Sequence, residues 1–147
     1  MEKNNYILIA KFHPLQDLSS IKYNDRIIQY ESTYDFSLYD LLAMSDLLIS
    51  DYSSVIHDYL LTGKPIVLDF FDQDKYNDSR GFAFDPIENI CPGPICTNLK
   101  ELLNCISIEI NNPTRSEKYN NVTNWLHKYK DNHSTDRAVT LIKSLIR

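Results

Sequence analysis

Apolar residues along this chain fall into short runs, divided by polar turns from longer stretches in which they recur at helical spacing. Tyr6 to Ala10 is a near-continuous apolar run, which predicts a buried parallel strand. Asp17 to Asn24 is polar and reads as helix or loop, and Arg26-Ile27-Ile28-Gln29-Tyr30 predicts a second, shorter strand. Leu38, Leu41, Leu42 and Met44 follow Ser37 at helical spacing, predicting a capped helix over Phe36 to Ser45. The centre of the pattern comes next. Leu47-Leu48-Ile49 is closed by Ser50-Asp51-Tyr52-Ser53-Ser54, and helical spacing resumes at Val55, Ile56, Tyr59 and Leu60. Gly63 and Pro65 stop that helix, and Pro65 to Phe70 predicts the next strand.

Phe71 to Pro94 departs from this rhythm. It is aromatic and charged and shows no apolar period, which predicts a long functional loop closed by the rigid turn Pro92-Gly93-Pro94. Ile95-Cys96-Thr97 reads as a last short strand. Asn98 then caps a helix from Leu99 to Ser107, with Leu102, Leu103 and Ile106 as its buried stripe. Tyr119, Val122, Trp125, Leu126 and Tyr129 predict an amphipathic helix from Glu117 to Lys130. Asp131 to Ser134 interrupts it, and a terminal helix from Thr135 carries Ala138, Val139, Leu141, Ile142 and Leu145. Alternating strands and helices imply an α/β fold, a parallel sheet with helices on both faces. No repeat or linker divides the chain, so residues 1–147 are expected to form a single domain.

Composition narrows the chemistry. Only three glycines are present, which argues against a Gly-rich phosphate loop and leaves helix ends and hydroxyls for any phosphate site. A net charge of -5 argues against nonspecific nucleic-acid binding. Cys91, Cys96 and Cys105 lack the paired short spacings of a zinc site, and no signal peptide precedes them. They read as incidental thiols of a reduced cytoplasmic protein. No run approaches transmembrane length, so membrane association is expected to be peripheral.

Ser53 and Ser54 fall where a helix begins, with free N–H groups and partial positive charge. They can cap that helix, the ordinary role of serine there, or donate to an anion. Both roles fit the spacing. Lys11 and His13 lie near the carboxyl end of the first strand, where open α/β sheets place their ligands, and Pro14 holds His13 toward extended geometry. His13 fits equally a loop histidine satisfied by backbone. Arg80 followed by Gly81 can offer a guanidinium to a phosphate with close backbone approach, or Arg80 can pair with a neighbouring aspartate. The pairs Asp72/Asp74 and Asp78/Asp85 match no metal motif and read as a solvated acidic loop.

Taken together, Ile49-Ser50-Asp51-Tyr52-Ser53-Ser54-Val55, Asp58 and Lys64-Pro65-Ile66 resemble the signature of CDP-glycerol:poly(glycerophosphate) glycerophosphotransferases, the teichoic-acid primases and polymerases of Gram-positive bacteria. Lys11-Phe12-His13-Pro14, Tyr76 to Phe82, Phe84-Asp85, Pro92 to Ile95 and Asp131 to Arg137 follow in the family's order, so the resemblance covers nearly the whole chain. It implies the Rossmann-like, carboxyl-terminal half of a GT-B-like architecture, which holds the nucleotide-activated donor. It also implies that Ser53 and Ser54 contact the donor diphosphate and that His13 steadies charge on the leaving group. Asp58 would reach the donor, Arg80 and Gly81 would lie near the phosphates, and Asp51, Lys11 and Arg137 complete the substrate-binding candidates.

The implied reaction moves glycerol phosphate from CDP-glycerol to a teichoic-acid-type or lipid-linked acceptor with release of CMP. It needs no cofactor or metal, so N–H donors and protein cations stabilise the developing charge. The family's general-base histidine and membrane-facing surface belong to an amino-terminal domain expected to be absent here. His57, His127 and His133 match no base motif, and Asn132 stands where the family usually has glycine. This chain alone is therefore expected to show negligible polymerase activity. The alternatives are an inactive nucleotide-diphosphate-binding remnant, or the same domain of a CDP-ribitol or capsule phosphotransferase.

Overall fold

The computed structural model describes residues 5–12, 21–33, 35–112 and 114–146. It divides into two compact units, Met1–Leu42 and Ala43–Arg147.

In the first unit, β1 (Leu8–Ala10) pairs in parallel with β2 (Ile27–Gln29), Ile9 opposite Ile28. The strand predicted as buried is half-buried on one face only: Ile7, Ile9 and Ile28 are exposed. An uninterrupted apolar run thus marked the strand correctly but not its burial. Helix α1 (Leu38–Met44) begins with a reciprocal cap. The Ser37 hydroxyl accepts from Asp40 N–H at 3.2 Å, and the Asp40 carboxylate accepts from Ser37 N–H at 2.9 Å. The Ser37 hydroxyl, which also donates to that carboxylate at 2.7 Å, and then the Ser37 N–H hold the Asp40 carboxyl below its usual range.

The second unit is built on a parallel sheet of β3 (Leu48–Ser50), β4 (Ile66–Asp69) and β5 (Ile95–Cys96), in that spatial order. Ile49 lies opposite Val67, and Leu68 opposite Ile95. The central strand is buried on both faces at Ile66, Val67 and Leu68, as its unbroken apolar run requires. On one face α4 (Leu99–Ile110) packs Leu102 onto Val67 and Cys96, with Ile49, Cys105 and Ile106 around them. Burying each such side chain contributes about 1.5–3 kcal/mol. Leu103, predicted for the same stripe, faces solvent instead.

Helix α2 (Val55–Tyr59) is short and continues as a 3-10 turn over Leu60–Thr62, stopped by Gly63 in the left-handed region at φ 68°. Polar anchors fix this connection. Tyr59, fully buried, donates to the Ser45 carbonyl at 3.2 Å. Lys64 Nζ donates to the carbonyls of Ala43 (2.7 Å) and Ser45 (2.8 Å), closing the end of α1. From α5 (Glu117–Leu126), the buried Tyr119 hydroxyl reaches the carbonyls of Lys64 (3.0 Å) and Leu60 (3.3 Å), and burial pushes its pKa up to about 12. Helix α6 (Ser134–Leu145) has no buried residue, so its apolar period marked a helix but no burial.

The expected loop from Phe71 to Pro94 is the main correction to the sequence reading. It contains helix α3 (Gln73–Arg80) and a 3-10 turn at Ile87–Ile90. Because α3 buries none of its residues, it leaves no apolar period to read. The turn that follows passes so close to β4 that a Cβ on Gly93 would sit 1.9 Å from the Ile66 carbonyl oxygen. Gly93→Ala must therefore displace backbone in the central strand. We expect a loss of at least about 1–3 kcal/mol of stability in denaturant unfolding, and an unchanged unfolding midpoint would contradict this packing.

Candidate functional site

Two segments leave the carboxyl end of the second sheet side by side: Asp51-Tyr52-Ser53-Ser54 after β3 and Phe70-Phe71-Asp72 after β4. This is the end at which open α/β sheets bind ligands. Ser53 and Ser54 are both exposed. The Ser53 hydroxyl accepts a long bond from Val55 N–H, 3.4 Å. Ser54 stands at the N-cap of α2 but its hydroxyl caps nothing, while its carbonyl accepts from His57 N–H at 2.9 Å. With five residues, α2 sums few peptide dipoles. What the turn offers an anion is its hydroxyls and N–H groups more than a helix field.

Tyr52, between the two candidate groups, anchors the turn. Its ring lies 3.9 Å from that of Tyr76 (centroid to centroid, 27° apart) and 4.6 Å from that of Phe70. Phe82 completes the cluster at 5.6 Å from both Tyr52 and Tyr76. The Tyr52 hydroxyl donates to Asp72 Oδ1 at 3.1 Å, and burial, then that bond, raise its pKa. Asp72 is the N-cap residue of α3, yet its carboxylate serves Tyr52 rather than the helix end. Sequence reading missed this cluster. Its only trace there is aromatic residues flanking the polar candidates, Tyr52 beside Ser53 and Phe82 beside Gly81.

Arg80 ends α3, exposed, and makes no ion pair or hydrogen bond among the described residues. The expected alternative of pairing with an adjacent aspartate is not what it does. Gly81 has φ 72° and ψ 162°, a region that essentially only glycine occupies, and a Cβ there would meet no protein atom within 4 Å. Backbone torsion, rather than close approach, is what this structure asks of Gly81: it turns the chain so that Phe82 returns onto Tyr76.

The remaining candidates lie elsewhere. Asp51 is exposed at the start of the serine turn, and Asp58 is exposed four residues after Ser54, one helical turn along α2. Asp58 lines an open groove of about 640 Å³ with Arg115, Tyr119, His127, Lys130 and Asp131. The cations of that groove are engaged: Arg115 with Glu109 at 2.9 Å, and Lys130 with Asn124. His127 Nε2 lies 2.8 Å from the His57 carbonyl. Arg137 also has partners within the protein. It binds Asp131 Oδ1 (2.9 Å) and Ser134 Oγ (3.1 Å) and stacks over Tyr129 at 3.9 Å. The His133 N–H, then Arg137, hold the Asp131 carboxyl below its usual range. Lys11 is exposed just beyond β1 in the first unit, and His13 lies outside the described residues.

Among the described residues no cluster of His, Cys, Asp or Glu could hold a metal ion, and no helix is long and apolar enough to cross a membrane. The cysteines are free; burial pushes the Cys91 thiol up to about 11 and the Cys96 thiol up to about 12.

Comparison with known proteins places this arrangement. Residues 1–144 match the family described as CDP-Glycerol:Poly(glycerophosphate) glycerophosphotransferase. The chain belongs to that family. It is 34% identical to the teichoic acid glycerol-phosphate primase of Bacillus subtilis (strain 168) over 145 residues, 98% of this chain and 36% of the primase. To the teichoic acid ribitol-phosphate polymerase TarL of Staphylococcus aureus it is 34% identical over 140 residues, 94% of this chain and 24% of that enzyme. The fold matches the wall teichoic acid polymerase TagF at TM-score 0.64 and 26% identity, over 97% of this chain and 35% of TagF. A TagF variant soaked with CDPG matches at TM-score 0.66 and 27% identity over the same shares. The fold is thus the Rossmann-like α/β type of a GT-B-like polymerase, and the chain spans about a quarter to a third of its curated relatives.

The acidic floor of the site gives a pH prediction. Asp69, closing β4, has its carboxyl raised by burial first, with Asp51 and Asp72 adding like charge. A raised folded-state pKa means that ionising Asp69 opposes folding. Stability from this group is full below the unfolded value of about 3.9 and is lost as pH rises through the folded value. Asp69→Asn should therefore raise the thermal midpoint at pH 7, with the gain vanishing toward pH 3. A lower midpoint at pH 7, or a gain independent of pH, would contradict the assignment.

Proposed function

We propose that this chain is the donor-binding portion of a glycerophosphotransferase, which holds CDP-glycerol while glycerol phosphate passes to a teichoic-acid-type acceptor. The observation that carries the reading is the exposed Ser53–Ser54 turn at the carboxyl end of β3, its Ser54 hydroxyl unused by the helix it begins. Family membership and a relative soaked with CDPG support it.

In this reading an acceptor hydroxyl oxygen attacks the β-phosphorus, the bond from that phosphorus to the bridging oxygen breaks, and CMP leaves with the electron pair. Charge grows on the bridging and non-bridging phosphate oxygens. The N–H and hydroxyl donors of Ser53 and Ser54 and the Arg80 guanidinium meet that charge without a metal ion. As the family resemblance implies, His13 would steady the leaving group and Lys11 would add positive charge, and Asp51 and Asp58 would accept from hydroxyls of the donor. Arg137, which binds Asp131 at the carboxyl-terminal turn, would complete the substrate-binding set. The acceptor and its general base are assigned to a further domain. With a nucleotide donor, the work would take place in the cytoplasm, peripheral to the inner face of the membrane.

Titration calorimetry of the chain tests this. CDP-glycerol should bind more tightly than CDP-ribitol and than CMP. Ser53→Ala combined with Ser54→Ala should weaken CDP-glycerol at least several-fold, each lost charge-assisted hydrogen bond costing about 1.5–3 kcal/mol. Equal affinity for CMP and CDP-glycerol, or an unaltered affinity in the folded double variant, would remove the diphosphate assignment.

A further inference from the structure

The aromatic cluster beside the serine turn has no part in that chemistry, and it bears on how the site is assembled. Helix α3 buries none of its residues. Among the described residues, α3 and its ends are joined to the serine turn by the Tyr52–Asp72 hydrogen bond and by the rings of Tyr76 and Phe82 against Tyr52. Arg80 follows Tyr76 by four residues, so it lies on the same side of α3, about 6 Å further along the axis. Gly81 then turns the chain and Phe82 folds back onto both tyrosines. Arg80 is therefore bracketed by two rings that both rest on Tyr52, the residue immediately before Ser53.

We propose that Tyr76 is a positioning residue: its ring, packed on Tyr52, holds the last turn of α3 beside Ser53 and Ser54, so that Arg80 and the serine turn meet one diphosphate. The inference rests on the donor-site reading above and deepens it. Without the Tyr76 ring, α3 keeps its helical backbone, since alanine favours a helix more than tyrosine does. What it loses is the surface that locates Arg80. Stacked rings at 3.9 Å suit this task because two flat faces in contact leave little freedom to tilt.

A double-mutant cycle on the purified chain separates positioning from general weakening. The variants are Tyr76→Ala, Arg80→Gln and the pair, titrated with CDP-glycerol and with inorganic pyrophosphate. Pyrophosphate has no base, so any effect of Tyr76 on it cannot come from stacking on a nucleobase. Arg80→Gln should weaken both ligands about tenfold in the parent chain, the scale of one charged hydrogen bond. In the Tyr76→Ala background the same change should cost less than twofold. Tyr76→Phe, which keeps the ring, should restore the full dependence on Arg80.

Equal losses in both backgrounds would overturn the inference while leaving the donor site intact. Should the parent chain bind neither ligand, the donor-site reading fails, and amide exchange then decides the staple by itself. At least tenfold faster exchange at Ser53 to Ile56 in Tyr76→Ala would support it, and unchanged exchange would overturn it. Tyr76→Leu is the second variant should the alanine chain not fold.

Discussion

The central strand β4 sets the terms for everything around it in the second unit. Ile66, Val67 and Leu68 are buried on both faces, so the strand needs a neighbour on each edge and cover above and below. Parallel pairing with β3 and β5 follows, and parallel pairing sends every strand's carboxyl end the same way. That is why the serine turn after β3 and the acidic, aromatic segment after β4 emerge as neighbours. The constraint also reaches backwards. Gly93 is the residue that lets the return to β5 pass against the Ile66 carbonyl, and any side chain there would push into the strand that organises the sheet.

Polar contacts then fix what packing alone leaves loose. Lys64 ties the end of α1 to the start of β4, and Tyr119 reaches across to the same connection from α5. Asp72 shows the trade-off at the site. It gives up capping α3 to accept from Tyr52, so the helix end is weaker by one bond while the turn before Ser53 gains an anchor. Burial raises the Asp69 carboxyl, and the nearby carboxylates of Asp51 and Asp72 add like charge to it, a cost retained at the ligand end of the sheet. Hydroxyl-bearing donors with a diphosphate call for both kinds of group: N–H, hydroxyl and guanidinium for phosphate, carboxylate for alcohol.

The elements that carry an apolar period could be read from sequence, whether or not they bury it; those without one could not. β4 declared itself by an unbroken run, and Asn98 declared α4 by its cap, which the structure shows accepting from Glu101 N–H at 3.0 Å. Helix α3 was invisible because it buries no apolar stripe, and the ring that anchors it, Tyr76, packs on Tyr52, which lies far from it in sequence. In β1, α4 and α6 the period was right but exposure was not. Ile9, Leu103 and Ile142 are apolar residues facing solvent in this chain, and periodicity cannot tell which apolar face finds a partner. The serine turn was legible from the residues themselves, with its two possible roles. The Tyr52 cluster was not, since it draws rings from three separate segments. At Gly81 the sequence suggested close backbone approach to a phosphate; the torsion that also calls for glycine there could not be read from it.

The central claim is that the carboxyl end of this sheet, and not the groove beside Asp58, receives the donor diphosphate. Chemical-shift mapping of CDP-glycerol on the isotope-labelled chain tests it most directly. The account predicts that the largest changes fall on the backbone N–H groups of Ser53, Ser54 and Val55 and on Arg80 Nε. Changes concentrated instead at Arg115, His127 and Lys130, with the serine turn silent, would contradict it.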